Sequence, residues 1–178
     1  MPAPRRIALA CALLSLWVCA PAVRAGGLPA DYTAGGDFKA LAEDADAGAV
    51  GWSHDYDTAA DAARAALMHC RAHRRDGCRV VRLGDAAVDG SDPMAHGAAL
   101  EVALAVYETD VLARLRAELE RTGDRDVRTR LSTICQKTGR YAEAEALLLD
   151  LAMSGEHLAR NALAYHWAEL GKRLDEAL

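Results

Sequence analysis

Leu131-Ser132-Thr133-Ile134-Cys135-Gln136-Lys137-Thr138-Gly139-Arg140-Tyr141-Ala142-Glu143-Ala144 is the stretch on which the fold turns, because its pattern recurs. At a spacing of 32 residues, Leu131, Ser132, Cys135 and Gly139 reappear as Leu163, Ala164, Trp167 and Gly171. Each glycine is followed by an anchor, Tyr141 or Leu174, and then by Ala144 or Ala177, with one extra residue in the second copy. Self-similarity at this period marks stacked helical hairpins, in which each unit buries its apolar face against the next.

Around this pair the sequence is helical. Asp92 followed by Pro93 starts a helix, since proline in the first turn forfeits no intrahelical bond. Leu100, Ala103, Leu104 and Tyr107, then Val111, Leu112, Leu115 and Leu119, recur at helical spacing up to Thr122-Gly123-Asp124. Asp92 to Gly123 has the length of an earlier, diverged hairpin. Val127 to Thr138 and Ala142 to Met153 make a hairpin about Gly139, and Leu158 to Leu170 follows Ser154-Gly155. Leu174 opens a further helix about one turn before Leu178, so the second hairpin reads as incomplete or completed by another chain.

Residues 91–178 thus read as one helical region, and residues 38–90 as a small α/β unit. In the latter, Phe38 to Ala42 and Ala49 to Ser53 flank a turn at Glu43 to Gly48 and pair as a hairpin. Asp57 or Thr58 caps a helix from Ala59 to His73, and Cys78 to Leu83 returns as a strand before a polar connector, Gly84 to Ser91. The order is β-β-α-β. Residues 26–37, rich in Gly, Ala and Pro, read as a flexible lead-in.

Met1 to Ala25 has the layout of a secretion signal: Arg5 and Arg6, an apolar run from Ile7 to Ala20, and Val23-Arg24-Ala25 at the cleavage positions. The run is shorter than the ~20 residues that span a bilayer. The mature chain from Gly26 therefore works in the periplasm or is secreted, with no membrane insertion after cleavage. Losing Arg5, Arg6 and Arg24 takes the formal charge from -5 to -8. An acidic chain with no basic stripe is unsuited to nucleic acid. Cys70, Cys78 and Cys135 remain in the mature chain. Cys70 ends a helix and Cys78 begins the next strand, with Gly77 allowing the return, so an oxidising compartment makes them a disulfide. Cys135 falls at a helix-packing position and reads as a small buried hydrophobe.

The repeated segments, Leu131-Ser132…Gly139-Arg140-Tyr141-Ala142-Glu143-Ala144…Leu148 and Asn161-Ala162-Leu163-Ala164…Gly171…Leu174-Asp175-Glu176-Ala177, resemble tetratricopeptide repeats over residues 126–178. No proline closes either repeat, and Arg128 and Arg160 stand where an aromatic is usual. The resemblance implies an α-solenoid there, and with the β-β-α-β unit before it the chain is expected to be α+β. It also implies that the first helix of each pair lines a concave binding face. That nominates Thr129, Thr133, Gln136 and Lys137 from one repeat and Asn161, Tyr165 and Glu169 from the next, with a protein or peptide as partner. Gly51-Trp52-Ser53, Ala59…Ala62…Ala66-Leu67…Cys70 and Gly77-Cys78-Arg79-Val80-Val81 resemble a DUF4189-like exported bacterial domain, which implies a fold and no activity.

Two polar groupings are the alternatives to a binding role. His54-Asp55, with Asp57 nearby, has the residue types of acid–base work but no accompanying nucleophile. His69 and His73 share a helical face near Cys70 and Cys78, the residue types of a metal site, yet a tetrahedral zinc needs four converging ligands. His69 and Cys70 diverge by about 100° around a helix. No phosphate loop, zinc-protease motif or nucleophile elbow occurs, and no cofactor is expected. The expected function is non-catalytic: a protein–protein interaction or scaffold factor of the bacterial cell envelope. The alternatives are an accessory or inhibitory domain of an exported enzyme system, or a hydrolase or metal-binding protein using His54/Asp55 or His69/His73.

Overall fold

Asp44 builds the first hairpin. Its Oδ1 accepts from the backbone N–H groups of Asp46 (3.1 Å) and Ala47 (3.0 Å), and Gly48 completes the turn in the left-handed region at φ 67°. The computed structural model describes residues 28–72, 76–89 and 92–171. The signal segment 1–25, His73 and the helix expected at Leu174 lie outside them. The elements are α1 (Ala30–Ala34), β1 (Ala40–Asp44), β2 (Ala49–Ser53), α2 (Ala59–Arg71), β3 (Arg79–Leu83), β4 (Ala86–Ala87), α3 (Pro93–Thr122), α4 (Arg125–Lys137), α5 (Tyr141–Met153) and α6 (His157–Glu169). The protein is α+β: an antiparallel sheet of order β2-β1-β3-β4 carries α2, and four C-terminal helices follow, packed pairwise.

The sheet and α2 meet through small residues. Gly51 pairs with Ala42, and a Cβ on Gly51 would stand 2.2 Å from the backbone nitrogen of Cys70. Ser53, on the same face, donates to the carbonyl of Ala62 (2.7 Å). Ala62, Ala66 and Cys70 of α2 are fully buried against this face. Thr58 caps the helix, accepting from the N–H of Asp61 (3.0 Å). At the other end the expected disulfide joins Cys70 to Cys78, with Cα atoms 6.1 Å apart.

Three features depart from the sequence reading. The lead-in is not wholly flexible: α1 forms, and Tyr32 is buried with its hydroxyl donating to the Gly84 carbonyl. Two alanines that carry no strand signal, Ala86 and Ala87, pair with Leu83 and Arg82 as β4 inside the expected connector. Asp92 to Gly123 is no hairpin, because Pro93–Thr122 is one helix of 30 residues. Its one internal glycine, Gly97, lies in the first turns, where the cost is small, and no breaker follows until Gly123 at φ 64°.

Long α3 ties the sheet to the helices. Phe38 meets Tyr107 edge to face at 5.7 Å, and the Lys39 N–H donates to the Tyr107 hydroxyl (3.1 Å). The buried carboxylate of Asp37 accepts from Arg114 of α3 and from Arg130 of α4, the latter at 2.8 Å. One apolar core runs from Phe38 and the sheet through Val111, Leu112 and Leu115 to Leu131, Ile134, Cys135 and Ala144. A smaller cluster of Leu148, Leu163 and Trp167 joins α5 to α6.

Candidate functional site

The groove between α4 and α6 begins with two turns. Gly139 (φ 74°) and Gly155 (φ 93°) end α4 and α5 in a conformation that L side chains resist, so the chain doubles back twice within α4–α6. Ser132 and Ala144, both buried, allow α4 and α5 to approach closely. Arg125 at the start of α4 bonds Glu156 at the start of α6 (2.8 Å), and Gln136 near the end of α4 lies 3.3 Å from His166 near the end of α6. Helices α4 and α6 therefore run side by side in the same direction, with Leu148 and Leu151 of α5 beneath. The groove they enclose measures about 300 Å³. Thr129, Thr133 and Gln136 line one wall, Leu158, Ala159 and Ala162 the other.

Three of the seven nominated residues thus share one concavity. Lys137, Asn161, Tyr165 and Glu169 are exposed but do not line it. Tyr165 and Glu169 bond each other on the surface of α6, and the carboxylate pushes the phenol pKa up. The Thr129 and Thr133 hydroxyls donate to the carbonyls of Arg125 (3.0 Å) and Thr129 (3.2 Å), so they present acceptor lone pairs, and the Gln136 carboxamide adds both a donor and an acceptor above an apolar floor. That combination suits a peptide backbone with aliphatic side chains. The apolar α6 wall is the part that sequence reasoning missed. Leu158 is 74% exposed, and nothing in its local pattern separates a groove wall from ordinary surface.

A second concavity, about 410 Å³, lies at the free edge of β2 and gathers His54 and His69 with Trp52 and Tyr56. Asp55 takes φ 61°, a left-handed conformation that aspartate tolerates better than most residues. Its Oδ1 accepts from the Gly36 N–H (2.8 Å), and its Oδ2 lies 2.7 Å from His54 Nδ1. The His54 bond, with that from Gly36, holds the Asp55 carboxyl below its ordinary pKa. His69 Nδ1 donates to the Trp52 carbonyl (2.6 Å). Both imidazoles therefore carry their proton on Nδ1 when neutral, leaving Nε2 as the acceptor. Ser53 cannot serve as a nucleophile for His54, because it is buried with its hydroxyl turned to Ala62.

The structure regroups the metal candidates. Cys70 and Cys78 are joined as a disulfide and are unavailable as thiolate ligands. His69 instead shares a pocket with His54, a partner 15 positions away that helical spacing does not suggest. Cys135 is fully buried, and burial pushes its thiol up to about 12, with the neighbouring Glu143 adding to the effect. It is an apolar packing residue, as expected, rather than a reactive one. Among the described residues no helix is long and apolar enough to cross a membrane. No known protein family, curated protein or solved structure matches the chain.

Proposed function

We propose that this protein is an exported, non-catalytic interaction factor of the bacterial cell envelope that holds a peptide segment of a partner between α4 and α6. The observation that carries the reading is the convergence of Thr129, Thr133 and Gln136 with Leu158 and Ala162 on one groove. The tetratricopeptide-like spacing supports it, since that resemblance nominated the α4 side chains. Export is supported by the leader's sequence and by the Cys70–Cys78 disulfide, which belongs in an oxidising compartment.

The test selects peptides from a displayed random library on the purified protein and compares their affinity for a Thr133→Arg variant. The arginine fills the groove from a half-buried position on its wall, and circular dichroism checks that the variant folds. Selected peptides are expected to bind the variant about tenfold or more weakly, as when a central contact is lost. Equal binding to both proteins would refute the groove as the site.

The β2-edge pocket favours a second reading, a small-ligand or acid–base site with Asp55 orienting His54. Chemical-shift perturbation of the His54 and His69 ring protons by a metabolite panel tests it. Unmoved resonances across the panel would remove this reading.

A further inference from the structure

The two histidines that meet at the free edge of β2 come from different elements and are fixed in the same way. His54 follows the last residue of β2, and His69 belongs to α2. His54 Nδ1 is held by the Asp55 carboxylate at 2.7 Å, and His69 Nδ1 by the carbonyl of Trp52 at 2.6 Å, two residues before His54. Asp55 is itself fastened by the Gly36 N–H (2.8 Å). Both side chains are exposed and line one concavity, and among the described residues neither Nε2 has a hydrogen-bond partner.

That pattern is the one metal-binding imidazoles use. A ligating histidine donates its other ring N–H to a carboxylate or a backbone carbonyl, which fixes the tautomer, orients the ring and raises the basicity of the free nitrogen. The pocket holds one example of each. No arginine or lysine lines it among the described residues, and the Asp55 carboxylate against the His54 ring favours a cation there over an anion. Among the described residues no third histidine, cysteine or carboxylate completes a metal-holding group, so the protein supplies two ligands and water the remainder. Imidazole nitrogen suits the late first-row ions, copper above zinc. Two neutral ligands hold such an ion exchangeably, unlike the four of a structural zinc site. We infer that His54 and His69 bind a divalent copper or zinc ion through their Nε2 atoms, forming an exchangeable metal site at the edge of β2. The inference names a ligand class for this pocket and does not depend on the α4–α6 groove.

The probe is Cu²⁺, followed by electron paramagnetic resonance on the purified protein, with Zn²⁺ as competitor and Mg²⁺ as control. One equivalent of Cu²⁺ is expected to bind with imidazole nitrogen in its signal. Zn²⁺ should displace it only in excess, and Mg²⁺, which takes oxygen ligands, should not displace it. His54→Ala and His69→Ala should each weaken Cu²⁺ binding about tenfold or more, while His157→Ala, at an exposed histidine of α6, should leave it unchanged. Circular dichroism checks that each variant folds, and the parent spectrum tests for imidazole ligation whether or not they do. His73, four positions after His69, is the rival partner. If His73→Ala and His69→Ala remove binding while His54→Ala spares it, the ion sits on consecutive turns of one helix and the proposal is overturned. A copper signal that survives the His54→Ala/His69→Ala double variant marks an adventitious ion only and overturns it too. So does a signal without imidazole nitrogen, or a protein that takes up no copper. The peptide and metabolite measurements are run in EDTA, so this proposal and those readings fail separately.

Discussion

Asp37 shows how one buried side chain can hold two halves of a chain together. Its carboxylate is 7% exposed, while its partners Arg114 and Arg130 are 59% and 42% exposed. The two sides of the bond are therefore unequal. Removing the carboxylate with Asp37→Ala leaves two guanidinium groups that can turn to water, at a cost of about 1–2 kcal/mol. Replacing both arginines with alanine strands a buried anion, which costs roughly 3–5 kcal/mol. Urea unfolding should rank the double arginine variant below Asp37→Ala, and the reverse order would show that the carboxylate is better hydrated than its burial suggests. The Cys70–Cys78 bond acts at the same scale on the unfolded chain. It closes a short loop, with a sequence separation of 8, so a Cys70→Ser/Cys78→Ser variant should lose about 2–3 kcal/mol in the same titration. An undiminished midpoint would mean that the reduced chain already holds this turn.

Between elements, the bidentate contact of Arg116 with Glu143 fastens α3 to α5. Arg116 Nε and Nη2 each donate to a Glu143 carboxylate oxygen at 2.7 Å. This pairing holds the Glu143 carboxyl below its ordinary value of 4.5. A carboxylate with a lowered folded-state pKa contributes stability that is complete above the unfolded value and disappears as pH falls through the folded one. Glu143→Gln should thus cost about 0.5–1 kcal/mol at neutral pH, modest because both side chains are about one-third exposed. The difference from the parent protein should shrink as pH falls below the ordinary carboxylate range and vanish once pH has passed the lowered folded-state pKa of Glu143; a difference that persists at the lowest pH where the protein stays folded would mean the contact acts through packing rather than charge. Much of this layer was legible beforehand. Gly139 marked the α4–α5 turn, Asp57 or Thr58 before Ala59 marked the start of α2, and Gly77 gave the return to β3. Local spacing carries such signals because turns and caps are made by neighbouring residues. It does not carry the burial of Tyr32, which depends on a carbonyl 52 positions away. Nor does it carry the meeting of His54 and His69 in one pocket, which exists only once β2 and α2 are packed. The α4–α6 groove was half legible for the same reason: Thr129, Thr133 and Gln136 follow from repeat register, whereas the α6 wall of Leu158, Ala159 and Ala162 depends on how the hairpins stack.

For the molecule as a whole, the continuity of the main core decides how it comes apart. Residues from Phe38 to Ala144 share one apolar cluster, so the sheet, α2, α3 and α4 should open together as one cooperative unit. Helix α6 stands outside it, held by the smaller cluster of Leu148, Leu163 and Trp167, by the Arg125–Glu156 pair, and by a Trp167 Nε1 bond to Glu145 (2.9 Å). Two probes separate these layers. Cys135 is fully buried within the main core, so its labelling by a thiol reagent reports global opening. Amide exchange along α6 reports local release. In native conditions the α6 amides should exchange at least about tenfold faster than Cys135 becomes labelled, after each is corrected for its intrinsic rate. Trp167→Ala should widen that gap while leaving the Cys135 rate nearly unchanged, because it weakens only the outer cluster. If the substitution accelerates Cys135 labelling in proportion, α6 belongs to the same cooperative unit, and the α4–α6 groove is as rigid as the core. A separately released α6 instead makes the groove adjustable: its α6 wall can move to fit a peptide while the α4 wall stays fixed to the sheet through Arg130 and Asp37.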